Sequence, residues 1–366
     1  MERNNFIIMF ISLCLFACNN SKQQQFDEIQ YDASVLEIGE FIDLSLTDIS
    51  SDFLFSTPRQ IDFVTDSLLV VFDNKTVTGK LAHLFTKSGK PVGSFGMIGK
   101  GHGEMIYPYN ICVGEDNRSV YFFDWRTSNS VRFMVDDILA GRNVPVVIHL
   151  ADSLDGDPNY RFSTVYRFND KDYIATGYND EMRIMTVKDN RKVDNYTSYP
   201  KVDENEEYTW SIWSNSLWVK FGVTPNRKYL VNTTRIGMLF EIFELNEGKI
   251  ESKVLKAFYK PEFGIAKGAQ PACVIRNEKT ISGFSALYCT DKSFWGVIGG
   301  PGSTHYNEIY EFNYSGDLLN KYKVKGDVVC LAVNAEDEMY LIMMDKDGEQ
   351  HLMKADLKSV SRKRAV

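Results

Sequence analysis

Histidine and cysteine are scarce in this chain of 366 residues, with five and six respectively, and neither type falls at a spacing that makes a site. There is no CxxC, no HxxH or HExxH and no Gly-x-Ser-x-Gly elbow, which removes a zinc-finger-type site and the serine-hydrolase nucleophile turn. Positive charge is also in deficit, with 41 Lys and Arg against 49 Asp and Glu. Lys358, Arg362, Lys363 and Arg364 crowd the last nine residues, so the rest of the chain carries about −12, and an acidic body of that kind repels nucleic-acid phosphates. Sustained helical periodicity is missing, and beyond residue 17 no apolar run is long enough to cross a bilayer. What remains is a globular composition, 44% hydrophobic and 13% aromatic, that leans toward β structure.

The first residues read as an address. Arg3 precedes an apolar run from Phe6 to Phe16, and Leu15-Phe16-Ala17-Cys18 leads into the polar Asn19 to Gln25. The Leu-x-Ala-Cys ending resembles a bacterial lipoprotein signal, which implies that residues 1–17 are a signal peptide and that Cys18 becomes the acylated first residue, turning a soluble body into an anchored one. Residues 18–30 then form a tether and 358–366 a solvated basic tail. Asn19 directly after the cysteine implies an outer-membrane lipoprotein facing the periplasm of the cell envelope.

From Arg59 onward, short runs rich in Val, Ile, Phe and Tyr alternate with period two and break at Asn, Asp, Gly or Pro. The clearest unit contains Tyr109–Val113, Ser119–Asp124, Ser130–Val135 and Val144–His149, four strands in meander order, with a short helical insertion over Asp136–Arg142. The same four-beat rhythm restarts near Arg59, Arg161, Trp218, Ile281 and Val328, giving six units of a size suited to propeller blades. A lone four-stranded sheet exposes two apolar faces, whereas sheets packed radially bury both, so the predicted fold of residues 31–357 is an all-β six-bladed β-propeller with antiparallel blades. The last unit supplies three strands, and a strand-like piece within Tyr31–Leu46 is predicted to complete it and remove an open edge. The stretches Asp203–Glu207 and Lys260–Ala272 read as longer surface loops.

The stretch Phe95-Gly96-Met-Ile-Gly99-Lys-Gly101-His-Gly103-Glu-Met105, followed by Pro108, Ile111–Val113, Val120-Tyr121, Asp124, Asn129, Val131 and Phe133, resembles an NHL-type propeller repeat, with Met105 where an aromatic is usual. With the amino-terminal signal, the whole chain resembles the TolB-like six-bladed propeller lipoproteins of Bacteroides-type bacteria. Glycines 96, 99, 101 and 103 suit positive φ and close approach at a blade handover. They do not form a phosphate loop, because no Gly-Lys-Ser/Thr ends the run.

Chemistry-bearing residues are scattered. His83, His149 and His351 lie in strands, while His102 and His305 sit in Gly-rich connections that could reach a propeller mouth. Trp210, Trp213 and Trp218 are concentrated in one segment, and Trp125-Arg126 follows a strand at a turn; large amphipathic rings suit sugar and protein contacts. Trp125, Arg126, Trp210, Trp213, His102 and His305 are therefore the candidate contact residues for a protein or glycan partner across one face of a monomer. The alternative function is a metal-dependent, calcium-type hydrolase or lyase, since related six-bladed enzymes hold a central calcium. Asp62, Asn110 and Asp124 would be its ligands, but Thr164, Val219 and Ser285 at the matching places in later units break such a ring. Neither a cofactor nor a bound metal is called for, and no catalytic residue is assigned. Cys112, Cys273, Cys289 and Cys330 sit in apolar strand contexts as small buried hydrophobes, with a Cys273–Cys289 bridge as the alternative in an oxidising compartment.

Overall fold

The structure is a computed structural model, and it describes residues 29–50, 53–74, 79–150, 162–177, 183–189, 191–197, 218–246, 249–266, 274–303 and 305–358. Among the described residues six blade sheets follow one another along the chain, and between the fourth and fifth a two-stranded ribbon pairs Gly264–Ile265 with Val274–Ile275, so part of the expected Lys260–Ala272 loop is strand. Blade one comprises Pro58–Thr65, Leu68–Asp73, Lys80–Thr86 and Pro91–Met97. Blade two comprises Pro108–Val113, Ser119–Asp124, Asn129–Met134 and Val146–His149. Blade three comprises Phe162–Arg167, Tyr173–Gly177, Ile184–Lys188 and Arg191–Thr197. Blade four comprises Trp218–Val223, Tyr229–Thr234, Met238–Asn246 and Lys249–Tyr259. Blade five comprises Ser282–Cys289, Ser293–Gly300, Glu308–Asn313 and Leu318–Lys323. Blade six contributes Asp327–Val333, Glu338–Met344 and Gln350–Asp356. Each blade is an antiparallel meander. The predicted insertion in blade two is the short helix Val135–Leu139.

The apolar side chains pack between blades, and this is what closes the ring. Second strands such as Leu68–Asp73 and Ser119–Asp124 are buried along their whole length, as expected for strands covered on both faces. Phe72, Phe95, Phe122 and Phe133 fill the seam between blades one and two. Phe123, Val165 and Tyr173 fill the next, Ile174, Val223 and Leu230 the third, and Phe240, Phe294 and Phe312 the fourth. Val297 and Leu341 meet in the fifth. Leu69, Val71 and Phe85 of blade one meet Tyr340, Ile342 and Leu352 of blade six in the last.

The segment before blade one stitches three outer edges. Asp32 N–H donates to Ala257 O of blade four at 2.9 Å, Ile42–Asp43 lies parallel to Tyr322–Lys323 of blade five, and Thr47–Asp48 pairs with Met353–Lys354 to give blade six its fourth strand. Asp48 is anchored further by His351 Nδ1, 3.0 Å from its carboxylate. The closing strand thus lies just beyond the expected Tyr31–Leu46 window. The apolar piece in that window is claimed by blade five instead, where Ile42 and Leu44 pack on the seam with blade six.

Two smaller expectations can be followed to single residues. Cys112, Cys289 and Cys330 are free and buried, as expected of small hydrophobes in strands, and the alternative bridge to Cys289 is not formed; Cys273 lies outside the described residues. Of the four glycines at the first handover, Gly96 and Gly103 adopt positive φ, whereas Gly99 and Gly101 make room for the Glu104 carboxylate, which accepts from Gly101 N–H at 2.8 Å. Met105, at the position where the repeat it resembles usually has an aromatic, is fully buried. Among the described residues no helix is long and apolar enough to cross a membrane.

Candidate functional site

Every inner strand carries a β-bulge at the same place. The register shifts between Pro58 and Gln60, Pro108 and Asn110, Phe162 and Thr164, Trp218 and Lys220, Phe284 and Ala286, and Val328 and Cys330. A bulge adds one residue and re-aims the side chains after it. Two of the residues after the bulge bind the next blade: Gln60 donates to Ile111 O at 2.8 Å and accepts from Ile111 N–H, and Asn110 donates to Val165 O at 2.8 Å. Counting across the bulges also corrects the expected equivalences. Lys220 and Ala286, not Val219 and Ser285, stand at the position of Asn110.

Two residues further along each strand, the axis is ringed by Asp62, Cys112, Tyr166, Gly222, Tyr288 and Ala332. Large side chains come from blades one, three and five and small ones from the blades between them. At Gly222 blade five comes close, since a Cβ there would lie 2.8 Å from Cys289 Sγ. Tyr288 Oη donates to Asp62 Oδ1 at 3.3 Å, joining blade five to blade one.

Above this ring opens a cavity of about 570 Å³ at the mouth formed by the turns between first and second strands. Asp62, Tyr166 and Tyr288 belong to its lining, with Phe63, Val113 and Phe168 supplying apolar wall. The rim is polar and cross-linked. Arg227 of blade four pairs with Glu115 of blade two and sits 4.9 Å over the Phe168 ring of blade three. Asn169 of blade three donates to Glu115 at 2.9 Å, and Asn226 N–H donates to Asp291 of blade five at 2.9 Å.

Burial pushes the Asp62 carboxyl up to about 6, with the Phe63 amide and the Tyr288 hydroxyl pulling the other way. Burial and the Asp62 charge hold the Tyr288 and Tyr166 phenols well above their usual value, so both are neutral hydrogen-bonding groups. Burial also raises the Cys112 and Cys330 thiols to about 12, which leaves them inert as nucleophiles near neutrality. The axis therefore offers one readily protonated carboxyl, two phenols and an apolar wall.

This donor set does not suit the calcium alternative. A hard cation takes six to eight oxygens, and the ring supplies one carboxylate. Asn110 is committed to Val165, and the buried Asp124 accepts backbone N–H bonds from Ile106, Tyr107 and Arg126 at 2.8–3.0 Å, closing its turn. Asp73 does the same for Ser56 and Thr57 in blade one.

Four of the candidate contact residues lie at the other end of the axis. Trp125 and Arg126 form the turn after the second strand of blade two, His102 lies in the handover from blade one, and His305 precedes the third strand of blade five. Trp125 is half-buried against Tyr107 and the seam with blade three, Arg126 and His102 are exposed, and His305 Nδ1 lies 3.2 Å from Asp327. Trp210 and Trp213 fall outside the described residues.

A sequence profile described as TolB-like 6-blade propeller-like matches residues 39–336. The chain belongs to this TolB-like family. Among solved structures, a Bacteroides fragilis protein described only as exported is similar to this TolB-like chain with a TM-score of 0.55 and 11% identity, over 89% of this chain and 97% of that one. A luciferin-regenerating enzyme (TM-score 0.47, 11% identity, 85% and 94% covered) and AztD of Citrobacter koseri (0.40, 10%, 84% and 72%) are more distant. At these identities the likeness concerns the fold. No curated protein matches the chain in sequence.

Proposed function

We propose that this TolB-like propeller is a lipid-anchored binding module of the bacterial cell envelope that takes a glycan segment into its axial cavity. The observation that carries the reading is the cavity itself: about 570 Å³, lined from all six blades, with aromatic side chains beside one carboxyl and a rim of amides, hydroxyls and carboxylates. A sugar presents an apolar ring face and a hydroxyl edge, and such a lining answers both. Residues 1–17 would direct export, Cys18 would carry the acyl chains, and 18–30 would hold the propeller off an outer membrane on its periplasmic side. Trp125, Arg126, His102 and His305 would contact a protein partner on the opposite face, and Trp210 and Trp213 stay candidates from the sequence alone.

A glycan array followed by calorimetry on wild type and the Asp62→Asn/Tyr288→Phe variant tests the cavity. Binding by wild type that the variant weakens about tenfold or more supports the reading. No glycan bound, or equal binding by both, overturns it. Fractionation of cells expressing Cys18→Ser tests the anchor: release from membranes or blocked maturation is expected, and unchanged membrane sedimentation contradicts acylation.

A further inference from the structure

The axis has a second mouth, formed by the starts of the inner strands, where the described residues gather cations although the chain as a whole is acidic. Arg59 occupies the bulge in blade one, and Lys220 follows the bulge in blade four. Arg235, in the turn after the second strand of blade four, is clamped to the start of blade five: Gly283 N–H donates to Arg235 O at 2.8 Å, Gly237 N–H donates to Ile281 O at 2.9 Å, and Ile236 bridges Ser282. That contact needs glycine, since a Cβ on Gly283 would lie 2.3 Å from Gly237 O. Arg276 extends the group, donating to Ser282 Oγ at 3.0 Å and to Tyr306 Oη at 3.2 Å.

The neighbouring groups register the field. Burial lowers the pKa of Lys220, and the charges of Arg59 and Arg235 lower it further. At Tyr306 burial opposes ionisation, but hydrogen bonds from Ser282 and Arg276 and the charges of Arg276 and Arg235 outweigh it and lower the phenol. Arg59 and Lys220 are half-buried. Among the described residues, Arg59, Lys220 and Arg235 form no ion pair, although the chain has 49 carboxylates against 41 cations. Asp327, the carboxylate at the start of blade six's inner strand, accepts Tyr306 N–H at 2.8 Å and faces His305.

Like charges gathered in a partly enclosed mouth repel one another and destabilise the fold unless an anion joins them. We propose that this mouth binds a multivalent oxyanion of a small ligand, a phosphate or polycarboxylate group, between Arg59, Lys220 and Arg235. The two guanidinium forks match such oxygens in pairs, and Lys220 supplies a point charge. The site lies at the opposite end of the axis from the glycan cavity and stands independently of that reading.

The test is calorimetry and thermal unfolding at low ionic strength, with inorganic phosphate in one arm and citrate in the other. Wild type is compared with Arg59→Gln, Lys220→Gln and Arg235→Gln. At least one probe should bind wild type, raise its Tm and weaken with added KCl, while each variant loses affinity about tenfold or more. Without ligand the variants should melt no lower than wild type, because neutralising any of the three relieves repulsion. Preference for citrate assigns a polycarboxylate and preference for phosphate a phosphoryl group. Failure of both probes to bind or shift wild type, or unchanged affinity in the variants, overturns the proposal.

Discussion

Replacing Asp62 by Asn should stabilise the protein at neutral pH and leave it unchanged in acid. The carboxyl sits in the axial ring with its proton held to about 6, against an ordinary 3.8. A carboxyl whose folded pKa is raised has no effect on stability below its unfolded value, because both states are then protonated. Its penalty grows as pH rises through that window and is complete above the folded pKa. The full difference corresponds to about 3 kcal/mol. The open cavity lets water reach the group, so an effect of about 1–2 kcal/mol is expected. Asn keeps the steric volume and an oxygen for the Phe63 amide and the Tyr288 hydroxyl, which isolates the charge. Urea unfolding of both proteins from pH 4 to pH 8 reads the difference directly. The two should converge near pH 4, with the variant more stable on a plateau above about pH 7. A constant difference across that range, or a variant less stable at pH 8, would refute the idea that burial destabilises the ionised Asp62. A stabilising variant that also loses ligand would mark the position as one kept for binding.

Other substitutions report on how the ring holds together. Glu338 of blade six bonds Lys87 of blade one as well as Lys354 and Asn334; burial opposes its ionisation, but these bonds prevail and lower its carboxyl to about 2. Its contribution is therefore present above the ordinary 4.5 and lost as pH falls through about 2, and Glu338→Gln should cost about 1–2 kcal/mol at pH 7 and little near pH 2 by denaturant unfolding. Gln60→Ala removes both bonds between blades one and two and should cost about 1–2 kcal/mol, whereas an exposed control such as Lys346→Ala should be neutral. Deleting residues 29–50 bares the edges of blades five and six, and light scattering should show association that the full chain does not.

The blades were legible because each seam is filled by short apolar runs that the sequence displays openly, as in Ser119–Asp124 and Glu338–Met344, whose residues are apolar on both faces. The short pairings were not, since Ile42–Asp43 and Thr47–Asp48 are too brief to show any period, and the pairing partner rather than the residue type decides their state. The axial ring was hidden for another reason. Asp62, Tyr166 and Tyr288 share no residue type and lie far apart in sequence, and the bulge in every inner strand shifts the count by one. Aligning the inner strands with that extra residue would have exposed both the ring and the lone Lys220. The conspicuous motifs drew attention to the opposite face: Asp124 proved to close a turn, and Trp125 to pack partly against its neighbours.

Ring closure underlies both mouths, and native-state hydrogen exchange tests it most directly. Two amides of the stitching segment decide the matter: Leu44, bonded to Lys323, and Ile49, bonded to Leu352. A closed wheel predicts that Leu44 and Ile49 exchange slowly, with protection approaching that of the buried second strands. Exchange of both at the rate of an unstructured peptide, while the blade cores stay protected, would mean that the amino-terminal strand does not close blade six.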